Sequence, residues 1–326
     1  MPQLVTHHIF ANEVYNELDK NIQNSFKNEL DVYRMFAQSF DNFNYFASLN
    51  FKKSKRIKNL ADRGHKTNVK NYFVTILKTI KEKKLENDPQ ALAYLFGSIN
   101  HYVLDSTCHP FIFYKTGVYD KKKKRETKKY RGLHGDIESN IDAFFYINRY
   151  HHSYNKARIT KEFIPKIKFS KNLKEVINQT FEETFNEKNV GKYYFSSYRN
   201  SRLLYKLFIE DKHGIKRFCY KIFDKFISHT TSFEYYTTYI RQPKISYLNI
   251  EHKKWFYPSN NKISSTESFI DLYNKAIQKS SFLISLAYDV LTNKKEIKEF
   301  EEKIENLSYV RGLDCDNSRA MRHFEF

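Results

Sequence analysis

The chain has 326 residues and a formal net charge of +19, with 25 Tyr and 29 Phe. That length and aromatic content fill a core without disulfide staples and exclude a disordered chain. The charge predicts attraction to phosphate groups on lipid or nucleic acid without fixing a function, and only 8 Gly and 6 Pro exclude a turn-rich sandwich or barrel.

In chain order, residues 7–26 read as a helix, with Thr6 as its N-cap and His7 on an inward stripe with Phe10, Ala11, Val14 and Leu18. Residues 31–50 form an aromatic cluster with Asp41 at its centre. The basic stretch FKKSKRIKNL reads as a solvated segment. A helix is predicted over 65–85, its buried stripe running from Val69 to Ile80. The next helix starts at Pro89, capped by Asn87 or Asp88, and runs to about Tyr114. A loop carrying Lys121 to Arg131 follows, because runs of like charge repel one another.

Further helices are predicted over 134–150, 171–188, 196–211 and 214–240. Residues 241–263, with Pro243, Trp255 and Pro258, read as an irregular connection. Ser264 and Glu267 have the spacing of a capping box for a helix running to about Thr292, and a charged tail with a last helix follows Lys294. No strand-type alternation dominates. The expected fold is all-α: a multi-helix bundle in one domain over 1–326, with a metal cluster in its core and residues 151–326 completing it.

The chemistry concentrates in GSINHYVLDSTCHPFIFY. His101, Asp105 and His109 stand at i, i+4 and i+8, on one face of an otherwise apolar helix. Burying three ionisable groups along one stripe is costly unless they are paired or bind a cation. His134 and Glu138 repeat the i, i+4 spacing in HGDIESNIDAFF, and Asp142 is placed to orient a ligand from behind. Imidazole and carboxylate donors without paired thiolates suit catalytic zinc. Cys108 reads as a small buried hydrophobe, with a soft fourth ligand as the alternative. His8 points about 100° away from His7, and His151 and His152 sit at a helix C-terminus. His213, His229, His252 and His323 are isolated.

These motifs, with THHIFANEVYNEL, AQSFDNFNYF, RGHKT and SFIDLYNKAIQKSSFLISLAYDVL, resemble the zinc-dependent phospholipase C family, in particular its cytoplasmic bacterial branch. The resemblance runs from about residue 4 to about residue 291. It implies an all-helical fold shared with the fungal zinc nucleases and two or three Zn2+ ions. It implies metal ligation by His7, Asp41, His65, His101, Asp105, His109, His134 and Glu138, with Asp41 also handling the nucleophilic water. His65 corresponds to a histidine near the start of a helix. The secreted members place the histidine after HxxxD slightly later than His109 and also use a mature N-terminal residue. Here Pro2 lies five residues before His7.

The implied activity is hydrolysis of a phosphodiester, such as a phospholipid at an anionic membrane surface. The alternatives are a nuclease or soluble phosphodiesterase on the same metals, or a non-catalytic metal-binding protein. Three scattered cysteines predict a reducing cytoplasm. The N-terminus does not read as a signal peptide. The apolar stretch from Phe282 to Tyr288 is far short of the ~20 residues that span a bilayer.

Overall fold

The computed structural model describes residues 3–120, 122–226, 232–317 and 319–325. Pro2, Lys121 and His229 lie outside the described residues. The first predicted helix is two: α1 (Leu4–Glu17) and α2 (Lys20–Phe26), separated where Leu18 turns extended. α1 also begins earlier than expected, because it borrows its cap. The Asp142 carboxylate accepts from the backbone N–H of Val5 (3.0 Å) and Thr6 (2.9 Å) and from the Thr6 hydroxyl (2.6 Å). Thr6 is therefore a donor in the first turn rather than the N-cap.

The aromatic cluster folds as α3 (Leu30–Phe36) and a 3-10 turn, Ser39–Tyr45, that carries Asp41. The basic stretch after it is a helix, α4 (Phe51–Gly64), not a solvated segment. Asn50 caps it by accepting from the Lys53 N–H, and it buries Ile57, Leu60 and Ala61 while its lysines face outward. α5 (Val69–Glu82) follows. His65 therefore stands at the C-terminal cap of α4 and not at the start of a helix.

The axis of the fold is α6 (Pro89–Thr116), whose residues are buried along most of its length. Asp88 caps it through the N–H groups of Gln90 and Ala91, and Pro89 occupies the first turn, where a missing N–H costs nothing. α7 (Lys124–Tyr150) packs beside it. The lysine run expected as a loop is thus helical from Lys124 onward. One reason is that Lys128 is tied to the Asp224 carbonyl at 2.8 Å.

The single-turn α8 (Ile159–Glu162), α9 (Lys171–Phe185) and α10 (Val190–Leu204) follow, and α10 runs on into a π-helical turn, Tyr205–Ile209. Only Ile215–Phe226 (α11) of the 214–240 prediction is α-helical among the described residues. The connection expected to be irregular holds a small antiparallel hairpin, β1 (Trp255–Tyr257) and β2 (Asn260–Ser265). The capping box of α12 (Phe269–Leu291) is Ser268 with Asp271, not Ser264 with Glu267. The last helix is α13 (Ile297–Lys303). α12 packs on α6, α1 and α5, so the C-terminal part closes the same core. The fold is all-α, with candidate metal-binding residues gathered in that core. Among the described residues no helix is long and apolar enough to cross a membrane.

Candidate metal centre

Four elements bring the ionisable groups together. α1 supplies His7, the 3-10 turn Asp41, the end of α4 His65, and α6 the row His101, Asp105 and His109. α7 adds His134 and Glu138 from the other side.

Donor atoms of Asp41, His65, His101 and Asp105 all lie within 4.8 Å of one another, and those of His109, His134 and Glu138 form a second such group. His7 joins the first group through Asp105. Its Nε2 is 3.3 Å from one Asp105 oxygen, while the other oxygen lies 3.4 Å from His101 Nε2 and 3.9 Å from the His109 ring. Asp105 therefore faces three histidines from two oxygens. All eight residues singled out in the sequence thus stand at one place.

The ring orientations are fixed from behind. A carbonyl can only accept, so His101 Nδ1–H donates to the Ala37 carbonyl (3.0 Å) and His109 Nδ1–H to the Tyr309 carbonyl (2.6 Å). In the neutral rings each Nε2 then keeps its lone pair for the centre. The His134 ring meets the Thr116 hydroxyl at 3.2 Å through Nδ1 and the Glu138 carboxylate at 2.8 Å through Nε2. His65 Nε2 lies 3.0 Å from His101 Nε2, a distance two lone pairs hold only with a proton or a cation between them.

The electrostatics are those of a dry cation site. Burial pushes His7 and His65 down to about 3, and His101, His109 and His134 well below the usual histidine range. Burial likewise pushes Asp105 up to about 6, against the pull of His101, and Asp41 well above the carboxylate range, helped by repulsion from Asp105. His7 Nε2, Asp41 Oδ2, both Asp105 oxygens and His109 Nε2 are buried and accept or donate no hydrogen bond. Leaving that many buried polar atoms unsatisfied costs several kcal/mol, which a divalent ion bound among them removes. The mixed nitrogen and oxygen donor set fits zinc.

Among the described residues the Asp142 carboxylate bonds to Val5 and Thr6 and to none of the eight clustered side chains. It caps α1, and so holds the turn that presents His7. Cys108 is buried among apolar neighbours, as expected, and burial raises its thiol well above the usual range. His8 packs edge-on against Phe163 and points away from the centre.

A cleft of about 700 Å³ opens onto the centre, lined by Asp41, His65, His109 and His134 and by Lys55 and Lys58 of α4. These lysines were not singled out in the sequence. The signal was there: Ile57, Leu60 and Ala61 give the basic stretch one apolar side, which turns the lysines to the other. The carbonyls of Ala37 and Tyr309 left no signal, because backbone groups have no residue type to read.

Residues 6–190 match the family described as zinc dependent phospholipase C. Comparison with curated proteins and with solved structures gives no match. The family match covers more than half of the chain and takes in all eight clustered side chains, and the chain belongs to the zinc-dependent phospholipase C family.

Proposed function

We propose that the chain is a zinc-dependent phosphodiester hydrolase of phospholipase C type, releasing a diacylglycerol-like alcohol and a phosphate monoester. The observation that carries this reading is the set of buried, hydrogen-bond-free donor atoms on His7, Asp41, Asp105 and His109, gathered where a lysine-edged cleft reaches Asp41 and His109. In this reading Asp41, His65, His101 and Asp105 would hold one ion, and His109, His134 and Glu138 another. His7 with the nearer Asp105 oxygen would hold a third. Zinc bound there supplies Lewis-acid stabilisation of phosphoryl charge and an acidified water.

The chain's own groups do the rest. Lys55 and Lys58 draw the phosphate into the cleft. Asp41, at the cleft floor with Oδ2 unengaged, orients the attacking water and takes its proton. Water oxygen bonds to phosphorus as the phosphorus–alcohol bond breaks, and the departing alkoxide is protonated from solvent. The Ala37 and Tyr309 carbonyls hold the imidazoles in one tautomer throughout, so no reorganisation accompanies the step.

The setting we propose is the bacterial cytoplasm, where Cys108, Cys219 and Cys315, all free thiols, stay reduced. The test is elemental analysis of the purified protein, with release of diacylglycerol from phospholipid measured before and after chelation. Two or three zinc ions per chain with chelator-sensitive release are expected. Zinc-dependent digestion of single-stranded DNA without lipid cleavage would replace the reading by a nuclease, and zinc without any hydrolysis would replace it by a binding role.

A further inference from the structure

α11 is inside out. Ile215, Phe218, Ile222 and Phe226 stand at i, i+3, i+7 and i+11, one stripe of the helix. In a helix packed on a protein that stripe faces the core. Here all four are exposed, Ile215, Phe218 and Phe226 by about two thirds each (67%, 64% and 69%). The opposite stripe, Arg217, Tyr220 and Asp224, faces the protein instead. Arg217 donates to the Tyr239 carbonyl at 2.9 Å and Tyr220 to the Phe208 carbonyl at 3.0 Å, while the Asp224 carboxylate accepts from the Glu234 N–H at 2.9 Å. The helix is thus fastened by its polar side, with its apolar side turned to solvent.

Leaving four large apolar side chains in water forfeits the main driving force of folding, so the face has a use. The charges around it say which. Lys216 borders the stripe on one side and Lys221 and Lys225 on the other, where long side chains reach past an apolar surface to a negatively charged layer. α11 is tied to the start of α7, where Lys128 Nζ donates to the Asp224 carbonyl at 2.8 Å, and farther along α7 Tyr130, Arg131 and His134 line a second opening next to the centre.

We propose that α11 is an interfacial helix that docks the protein on an anionic bilayer, its apolar stripe among the acyl chains and its lysines at the lipid phosphates. The proposal rests on the phospholipase reading for its purpose, delivery of lipid to the cleft, but not for the binding itself. A second copy of the chain is the competing occupant. It is disfavoured because a two-fold contact through this stripe would bring the flanking lysines of both copies together.

The test uses the full chain and the double variant F218E/I222E, both positions being exposed. Sedimentation is measured with vesicles of phosphatidylcholine alone and of equal parts phosphatidylcholine and phosphatidylserine, and hydrolysis with a soluble short-chain phosphodiester. Binding of the unaltered protein to the anionic vesicles, weakened by added salt and reduced on the order of tenfold or more in the variant, is expected. Turnover of the soluble ester should be equal in the two. Equal vesicle binding by both proteins overturns the proposal. So does a dimer in solution that the variant dissociates. Loss of vesicle binding in the variant, with neither protein cleaving any diester, leaves the docking helix standing and removes the hydrolase reading.

Discussion

The ring of His109 donates its Nδ1–H to the backbone carbonyl of Tyr309, 200 residues farther along the chain, at 2.6 Å. Tyr309 is held there in turn, since its own N–H reaches the His65 carbonyl at 3.0 Å. One stretch of the C-terminal tail therefore clamps two of the clustered histidines, although it lies beyond the residues that match the family.

The clamp has a tight joint at Gly312, and its substitution should loosen the centre. Gly312 sits at φ +60, and a Cβ there would come 2.6 Å from both the Ser106 carbonyl and the Pro110 ring. Pro110 has no N–H to offer the Ser106 carbonyl inside α6, which leaves room for the tail to approach so closely. Gly312→Val should cost about 3 kcal/mol of stability and lower the zinc content of the purified protein. Urea unfolding and elemental analysis check this, and wild-type values for both would show the clamp to be unnecessary.

Asp105→Asn separates the charge from the shape. Both Asp105 oxygens are buried without hydrogen bonds, so the apo-protein gains by losing the charge. The metal-loaded protein loses a carboxylate that faces three histidines. The expected result is equal or higher thermal stability than wild type in chelator, lower stability than wild type with zinc, and activity down by about a hundredfold or more. A variant less stable than wild type in both conditions would contradict it.

Chelation should lower the melting temperature of the wild-type protein. An ion that binds only the folded state at about a hundred times its dissociation constant contributes about 2.7 kcal/mol. Differential scanning with and without chelator measures the difference, and no shift would mean that the clustered donors hold nothing.

The chelated protein should also be acid-sensitive. Burial holds His7, His8 and His65 at about 3, below the ordinary 6.5. The unfolded chain takes up these protons near 6.5 and the native state only near 3. Stability from the neutral rings is therefore full above about 6.5 and is lost as pH falls through that window, about 1.4 kcal/mol per ring per pH unit. The raised Asp41, Asp105 and Asp142 carboxyls act the other way, and the lowered rings of His101, His109 and His134 keep the net loss. A urea midpoint unchanged between about pH 7 and pH 5 would refute this.

Asp142→Ala should orphan two buried backbone N–H groups and the Thr6 hydroxyl at once. A loss of about 2–3 kcal/mol is expected. Asp142→Asn should recover part of it, because one carbonyl oxygen can still accept. Equal losses in both variants would assign the effect to charge and not to capping.

How much of this was legible in the sequence depends on what each feature needed. His101, Asp105 and His109 could be placed on one face because helical spacing is local, and the same holds for His134 with Glu138. The elements misread were those whose conformation is decided at a distance. α1 starts early because Asp142 reaches across from α7. The lysine run after Asp120 is helical in part because Lys128 finds the Asp224 carbonyl. The basic stretch 51–60 conceals a helix because its charge outweighs three apolar residues in any average. The orienting carbonyls of Ala37 and Tyr309 could not have been read from composition or spacing.

The position of Tyr309 also bears on how the protein is made. His7 and His134 emerge from the ribosome well before it, but the carbonyl that sets the His109 tautomer is synthesised 200 residues after the ring it orients. Until then that imidazole can turn either nitrogen inward, and a nascent chain offers a passing cation a ragged version of its pocket. If the centre holds zinc as proposed, correct loading would wait until Tyr309 reaches His109, and a product of translation interrupted before it would hold its ions too loosely to keep them.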